Sequence, residues 1–303
     1  MMRELKVFRQ QMGVTGLMDQ QHLYKCQGTF VGHKGPVWAL AKLNDMIFSA
    51  SADCTIKVWD LSATYAGPRT LTGHADIVLA LFVHNETLFS GSNDLTVKVW
   101  NLDTFKIDVS FQAHDDPVCT LSASDTYLLS GSLKSIKVWD RKSYSLVKTL
   151  PTQNHWVRSL QVSGKYLYSG SYQAVKVWSL ESLEVAHVLK CKGASVYSLA
   201  ITNKDIICGT YENTIQVWDV RTLQEKGTLT GHTGAVYALA VLNTPGRERL
   251  FSACYDKTIR VWNLELMMCA QTLVRHEGSV TCLLASGGRI FSGAIDNMIK
   301  LWQ

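Results

Sequence analysis

Residues 49–60 read SASADCTIKVWD, a turn-rich segment followed by a short β-branched run that ends in Trp-Asp. Similar segments recur along the whole chain. The tryptophans that end them are Trp59, Trp100, Trp139, Trp178, Trp218, Trp262 and Trp302, at spacings of 41, 39, 39, 40, 44 and 40 residues. Self-similarity at a fixed period is the sequence signature of a repeat architecture.

The segments between the tryptophans have the pattern of strands. They are short, rich in β-branched residues and bounded by Gly, Asn, Asp or Ser. A histidine precedes most of the tryptophans at a similar distance: His33, His74, His114, His232 and His276. This pattern resembles the WD40 repeat family, whose Gly-His…Trp-Asp unit forms one four-stranded propeller blade. The resemblance implies an all-β fold, a seven-bladed WD40 β-propeller.

The two ends of the repeat region indicate how the ring closes. The last repeat stops directly after Trp302 and lacks an outer strand, whereas QGTFVGH near the N-terminus resembles the outer-strand endings GTLTGH and PRTLTGH. We therefore predict a propeller over residues 25–303, closed by an N-terminal strand near Gly28 in the last blade, which removes an open sheet edge. Residues 1–24 are an N-terminal extension whose structure the sequence does not indicate.

Composition and cysteine spacing give no sign of a metal, a cofactor or a membrane. Charged residues make up 18% of the chain and the net charge is only +5. The eight cysteines form no C-x-x-C pair and have no histidine at zinc-ligand spacing. We find no signal-peptide pattern and no apolar run long enough to span a membrane. We expect no cofactor, no metal site, no membrane partner, and a cytoplasmic location with the nucleus as an alternative.

The WD40 resemblance implies a hydrogen-bonded structural set of His, Ser or Thr, Asp and Trp in each regular repeat. It assigns one set to each of four blades: His33, Ser49, Asp53 and Trp59; His74, Ser90, Asp94 and Trp100; His232, Ser252, Asp256 and Trp262; and His276, Ser292, Asp296 and Trp302. Catalysis or metal binding is the alternative, but a catalytic site would not recur around a ring. Blades 3 to 5 depart from the pattern: Gln153 and Lys192 stand at the His position of blades 4 and 5, and blade 5 has Cys208 for Ser and Glu212 for Asp.

The resemblance also implies a binding face around the mouth of the central channel. Its positions lie three and five residues after the repeat His and just before the turn Asp. The fifth-residue positions are Trp38, Leu79, Cys119, Arg158, Tyr197, Tyr237 and Thr281. In blade 4 the stretch NHWVRSL, residues 154–160, replaces the usual Gly-His and puts Trp156 and Arg158 on this face.

Aromatic residues and one arginine are concentrated on blades 4 to 6 of this face. The predicted partner-binding residues are Trp38, Leu79, Trp156, Arg158, Tyr172, Tyr197, Tyr211, Tyr237 and Tyr255. Trp, Tyr and Arg are the residue types enriched at interface hot spots. The competing interpretation is packing, because Tyr and Trp favour strands in any case.

Longer segments resemble one branch of the family. GTFVGHKGPVWAL, SGSLKSIKVWD and CGTYENTIQVWD, among others, are similar to the C-terminal propeller of a RING-type ubiquitin ligase of the TNF-receptor-associated factor family. The resemblance implies that the propeller docks partner or substrate proteins, including MAP-kinase-kinase-kinase signalling components. This chain shows no Cys/His pattern for the RING or zinc-finger modules of that ligase, so we expect no enzymatic activity.

We therefore predict a non-catalytic protein–protein interaction module that acts as a substrate receptor or scaffold for kinase-cascade or ubiquitin-pathway proteins. A single-stranded RNA-binding propeller is one alternative, since bases stack on aromatic side chains, although the low net charge disfavours nucleic acid. A hydrolytic propeller is another, and the irregular cluster Asp115, Asp116 and His155 would have to carry it.

Overall fold

The structure of the protein is a computed structural model that describes residues 23–63, 67–152, 155–244 and 247–303. The side chains of residues 192, 193, 244 and 247 are not described. The departures predicted at Gln153 and at the Lys192 side chain, and residues 1–22 of the N-terminal extension, lie outside the described residues. Every regular element within them is a strand, so the all-β prediction is confirmed.

The first half of the chain contains the outer strand of the last blade and then three complete blades. The strands are β1 (Cys26–Phe30), β2 (Val37–Leu43), β3 (Met46–Ser51), β4 (Ile56–Asp60), β5 (Arg69–Leu71), β6 (Val78–His84), β7 (Thr87–Ser92), β8 (Thr96–Asn101), β9 (Lys106–Gln112), β10 (Thr120–Ala123), β11 (Tyr127–Gly131), β12 (Ser135–Asp140) and β13 (Leu146–Pro151). Blades 1, 2 and 3 are the antiparallel sheets β2–β5, β6–β9 and β10–β13.

The second half contains blades 4 to 7. The strands are β14 (Leu160–Ser163), β15 (Tyr166–Ser179), β16 (Val185–Ile201), β17 (Asp205–Thr210), β18 (Ile215–Asp219), β19 (Glu225–Leu229), β20 (Val236–Thr244), β21 (Arg247–Cys254), β22 (Thr258–Asn263), β23 (Met268–Val274), β24 (Val280–Ser286), β25 (Arg289–Ala294) and β26 (Ile299–Trp302). Blade 6 is β20–β23, and blade 7 is β24–β26 together with β1.

The N-terminal strand belongs to the last blade. β1 pairs antiparallel with β26, with Phe30 opposite Ile299 and Gly28 opposite Leu301. The Phe30 ring lies 5.5 Å from the Trp59 ring of blade 1 and 6.2 Å from the Phe291 ring of blade 7. Residues near Gly28 therefore supply the strand that the last repeat lacks.

Blades 4 and 5 share one six-stranded sheet. Blade 4 has no Asp turn between its two central strands, and the chain runs through this point as the single strand β15, with a register shift at Gln173. β16 then pairs with β15 at its start and with β17 at its end, so it serves both blades. Blade 3 lacks the Asp turn as well but keeps two separate central strands, β11 and β12, so the shared sheet depends on the continuous β16.

The core lies between the blades. Each of seven buried apolar clusters joins two neighbouring blades, and one of them contains Val37 of blade 1 with Cys282 and Phe291 of blade 7. The approach is close because a glycine or alanine faces a valine: a methyl group on Gly91 would lie 2.5 Å from Val118 Cγ1. The family fold thus buries its sheets face to face.

A β-bulge at the start of the inner strand positions the channel-mouth residues. The pairing register shifts between Val37 and Ala39, and likewise around the fifth-residue position in blades 2, 5, 6 and 7. The residues at the shifts are Trp38, Leu79, Tyr197, Tyr237 and Thr281. Because a bulge re-aims the side chain that it carries, the same local device turns these residues toward the mouth.

Candidate binding site at the channel mouth

The four structural sets each form one hydrogen-bonded chain. In blade 2, His74 Nδ1 lies 2.7 Å from Asp94 Oδ2, His74 Nε2 lies 2.7 Å from Ser90 Oγ, and Trp100 Nε1 donates to Ser90 Oγ at 2.8 Å. The pattern fits a neutral histidine whose Nδ1–H donates to the carboxylate and whose Nε2 accepts from the serine. The sets of blades 1, 6 and 7 have the same contacts within 0.1 Å.

The serine at the centre of each set is completely buried. Ser49, Ser90, Ser252 and Ser292 are all 0% exposed. Ser49 Oγ lies 2.7 Å from His33 Nε2, Ser252 Oγ lies 2.7 Å from His232 Nε2, and Ser292 Oγ lies 2.8 Å from His276 Nε2. Each also accepts from the indole N–H of its set at 2.8 Å.

This burial divides the candidate site residues into two groups. Ser49, Ser252 and Ser292 cannot be reached by a partner from solvent, and their hydroxyls are already used within the blade. We therefore exclude them from the binding site and interpret them as part of the fold, because a buried hydroxyl must be hydrogen-bonded. Binding has to use the channel-mouth residues instead.

The titration of the sets agrees with this assignment. Burial lowers the pKa of His33 and of His74, and this outweighs the neighbouring aspartates. Burial would raise the pKa of Asp53, but hydrogen bonds from Thr55, the Lys34 backbone and His33 lower it to about 2. A neutral histidine beside an ionised carboxylate is the state that the hydrogen bonds support.

Two members of the blade 6 set and the neighbouring Cys254 form the one group of ligand-type side chains close enough to surround a metal ion among the described residues. His232, Cys254 and Asp256 offer ligand atoms within 4.8 Å of one another. Burial raises the pKa of Cys254 to about 12, so the thiol is protonated, and its sulfur lies 3.2 Å from the Gly234 carbonyl oxygen. In blade 1, Ser51 makes the equivalent bond to Gly35. We therefore interpret the group as part of the fold.

Blades 3 to 5 retain only parts of the set. In blade 3, His114 and Trp139 both bond Ser130, at 2.7 and 2.9 Å. In blade 4, Trp178 still donates to Ser169 at 2.9 Å. In blade 5 the sulfur of Cys208 lies 3.9 Å from that of Cys191. Sulfur contact and apolar packing thus replace the hydrogen-bond chain where the sequence departs.

The channel mouth is a pocket of about 260 Å³ that every blade helps to line. All seven fifth-residue positions contribute: Trp38, Leu79, Cys119, Arg158, Tyr197, Tyr237 and Thr281. Asn93, Pro117 and Trp156 complete the lining. We call this the mouth pocket. Residues about 40 positions apart in sequence thus meet at one point, as a propeller requires.

Four tyrosines form a continuous surface beside the mouth pocket. The Tyr197 ring lies 5.3 Å from Tyr211 and 6.1 Å from Tyr237, and the Tyr237 ring lies 6.4 Å from Tyr255. Tyr211 and Tyr255 are 57% and 59% exposed. We call these four residues the tyrosine arc. Such offset and edge-on contacts are the favourable geometries of aromatic pairs.

Arg158 joins the tyrosine arc to Trp156. Its guanidinium carbon lies 4.8 Å from the Tyr197 ring centre and 5.8 Å from the Trp156 ring centre. Among the described residues no carboxylate pairs with it and no hydrogen bond from it is found. Arg158 is also the only charged side chain that lines the mouth pocket within the described part of the chain.

Tyr172 stands apart from the tyrosine arc, although the sequence predicts it on the same binding face as the other four tyrosines. Its ring lies 5.5 Å from that of His155, and no ring contact joins it to the four tyrosines among the described residues. His155 Nε2 lies 3.2 Å from Ser195 Oγ, and Glu212 accepts from the Ser195 backbone at 2.8 Å. Sequence reasoning missed this link between blades 4 and 5, because His155 stands at no position of the repeat motif.

The irregular cluster proposed for hydrolysis does not come together in the described residues. His155 contacts Ser195 and Tyr172, and no hydrogen bond or ion pair links it to Asp115 or Asp116. Burial and the Arg158 charge lower the pKa of His155.

The chain belongs to the WD domain, G-beta repeat family. Six repeats of that family match residues 24–60, 68–101, 105–140, 144–179, 223–263 and 267–303. The unmatched stretch 180–222 covers most of blade 5, whose His, Ser and Asp positions are all replaced, yet it contains the strands β16, β17 and β18. The prediction of a WD40 propeller is confirmed.

Two curated relatives share a long segment with the chain. E3 ubiquitin-protein ligase TRAF7 of Mus musculus and the protein of the same name in Homo sapiens are each 56% identical to it over 129 residues, or 42% of this chain. The shared segment spans 22% of the mouse protein and 19% of the human protein. The likeness to a TRAF7 propeller is therefore confirmed.

A solved structure supports the fold. The crystal structure of the WD40 beta propeller domain of Doa1 superposes with a TM-score of 0.83, covers 93% of this chain and 97% of that chain, and is 23% identical in sequence. No helix in the described residues is long and apolar enough to cross a membrane. WD40 propellers typically serve as protein-interaction modules.

Proposed function

We propose that this chain is a non-catalytic protein-interaction module that acts as a substrate receptor or signalling scaffold. A segment of the partner protein lies across the tyrosine arc and reaches into the mouth pocket. The residues that carry binding are Trp38, Leu79, Trp156, Arg158 and the tyrosine arc, with Tyr172 at the edge.

The observation that supports this proposal most directly is the tyrosine arc itself. Two of its four rings are more than half exposed, which leaves their faces open to a partner. Large aromatic side chains bring much contact area at a low cost in side-chain entropy, and they keep a polar tip for hydrogen bonds. A surface of this kind fits a protein segment. Nucleic acid fits less well, because the mouth pocket offers a single positive charge.

The names of the two relatives support a class of partner. Both are named E3 ubiquitin-protein ligases, and the shared segment is part of a propeller. We propose that the partners are ubiquitin-pathway or kinase-cascade proteins, with MAP-kinase-kinase-kinase components as the first to test. Such partners place the protein in the cytoplasm, with the nucleus as an alternative.

The test is a comparison of three baits in affinity capture from cell lysate, read by mass spectrometry. The baits are the wild-type chain, the Tyr211→Ala/Tyr255→Ala variant, and the control Leu266→Ala, which removes an exposed apolar side chain outside the mouth. We expect partners of the proposed class with the wild type and the control, and their loss from the double variant.

The affinity for the purified partner then tests whether the tyrosine arc contributes to binding. We expect the double variant to bind it at least about tenfold more weakly, which corresponds to about 1.4 kcal/mol. Each bait is first shown to unfold at the wild-type denaturant midpoint. Equal capture and equal affinity by a folded double variant would remove the tyrosine arc from the binding surface.

A further inference from the structure

The mouth pocket holds one charge that the chain does not balance. Arg158 is the only charged residue of its described lining, and the remaining lining is aromatic, apolar or neutral. Burial raises the pKa of Cys119 in the lining to about 11, so this thiol is uncharged. The pocket therefore presents a single cation in largely apolar surroundings.

The acidic side chains near the mouth bond other groups or form no ion pair with Arg158 within the described residues. Asp76 accepts from Asn93 Nδ2 at 2.6 Å and from the Ile77 backbone at 2.7 Å. Glu212 accepts from the Ser195 backbone. The negative charge of Asp116 raises the pKa of Cys119, and the positive charge of Arg158 lowers it. Asp116 forms no ion pair with Arg158 within the described residues.

Two rings hold the guanidinium in place. Contact with Tyr197 and Trp156 restricts the Arg158 side chain before any ligand binds. Neither ring accepts a hydrogen bond from the guanidinium N–H groups of Arg158. The planar fork is therefore free to bind a carboxylate through two parallel hydrogen bonds.

We propose that the mouth pocket binds the carboxylate side chain of a Glu or Asp in the docked segment, held by Arg158. This inference rests on the proposed function and adds the chemistry of the partner: an acidic residue beside apolar or aromatic residues that cover the tyrosine arc. A carboxylate fits better than a phosphate, because a phosphate carries close to two charges and the pocket has one cation to meet them.

The experiment selects a displayed library of random short peptides on four immobilised chains. They are the wild type, Arg158→Glu, Tyr211→Ala/Tyr255→Ala, and the control Arg69→Glu. Arg69 is a matched arginine, exposed and stacked 4.3 Å from the Phe105 ring, but it lies on β5 outside the mouth pocket. Each chain is first shown to be folded by its unfolding midpoint.

We expect peptides from the wild type and from Arg69→Glu to share an Asp or Glu at one position. Arg158→Glu should select Lys or Arg there. A synthetic Glu peptide should lose about tenfold in affinity for the wild type when Glu becomes Gln, and should show no such difference on Arg158→Gln.

The outcomes separate the two proposals. Peptides that need Tyr211 and Tyr255 but share no acidic position would overturn the carboxylate site and leave the docking face intact. Peptides that bind the double variant as well as the wild type would overturn the docking face itself. A phosphoserine peptide that binds tenfold better than the Glu peptide would replace carboxylate with phosphate.

Discussion

Replacing Ser90 with alanine removes the oxygen that connects two buried rings in blade 2. Ser90 Oγ lies 2.7 Å from His74 Nε2 and 2.8 Å from Trp100 Nε1, and all three residues are buried. Alanine leaves the His74 Nε2 acceptor and the Trp100 Nε1 donor without partners, in a space too small for another side chain to take the place of the hydroxyl. At about 2 kcal/mol for each buried polar atom left unsatisfied, the free energy of unfolding should fall by about 4 kcal/mol.

Blade 4 supplies a matched control. Among the described residues Ser169 bonds only Trp178, at 2.9 Å, and it is buried like Ser90. Ser169→Ala therefore leaves one polar atom unsatisfied and should cost about half as much, about 2 kcal/mol. The two substitutions remove the same oxygen from the same strand position, so their difference isolates the histidine contact.

The assay is equilibrium unfolding in urea, followed by tryptophan fluorescence and by circular dichroism. Coincident transitions with an unchanged slope against denaturant allow the midpoint shifts to be read as stability changes. Equal losses for Ser90→Ala and Ser169→Ala would show that the histidine contributes nothing through this bond, and the reasoning on the structural sets would be wrong.

Three further changes test other features. Burial lowers the pKa of His114 to about 4, so the free energy of unfolding should fall as the pH drops from 6.5 toward 4. In urea unfolding, His114→Gln should remove about 3 kcal/mol of this pH dependence over that window. Leu95 has a φ of +72°, and Leu95→Asn should raise the thermal midpoint by relieving about 1 kcal/mol of backbone strain. Gly91→Ala should cost about 1–3 kcal/mol in urea unfolding because its methyl would meet Val118, whereas Gly28→Ala, with open space around it, should cost little.

The repeats made most of the fold predictable. Seven tryptophans at near-constant spacing determine the number of blades, and the likeness of QGTFVGH to other outer-strand endings indicates where β1 pairs. The merged sheet of blades 4 and 5 was not predictable. It arises because β16 runs unbroken from blade 4 into blade 5 and pairs with both β15 and β17, which depends on pairing between strands of the two blades.

The candidate site was partly predictable. Counting five residues from the histidine position of each repeat identifies seven of the ten residues that line the mouth pocket. The same count does not show the bulges that aim these side chains, because a bulge reflects pairing between strands and has no local sequence signal here. Nor does it show that Tyr172 turns to His155, since that contact depends on the irregular path of blade 4.

The mouth pocket has an evolutionary consequence. Each of its seven fifth-residue side chains sits on a different repeat, while the flanking residue, such as Val37 or Val196, holds the blades together. Ligand recognition and blade packing thus depend on adjacent residues of the same strand. Drift at seven scattered positions can rewrite ligand preference without disturbing the scaffold, and comparing those seven letters among paralogues should sort them by the cargo they carry.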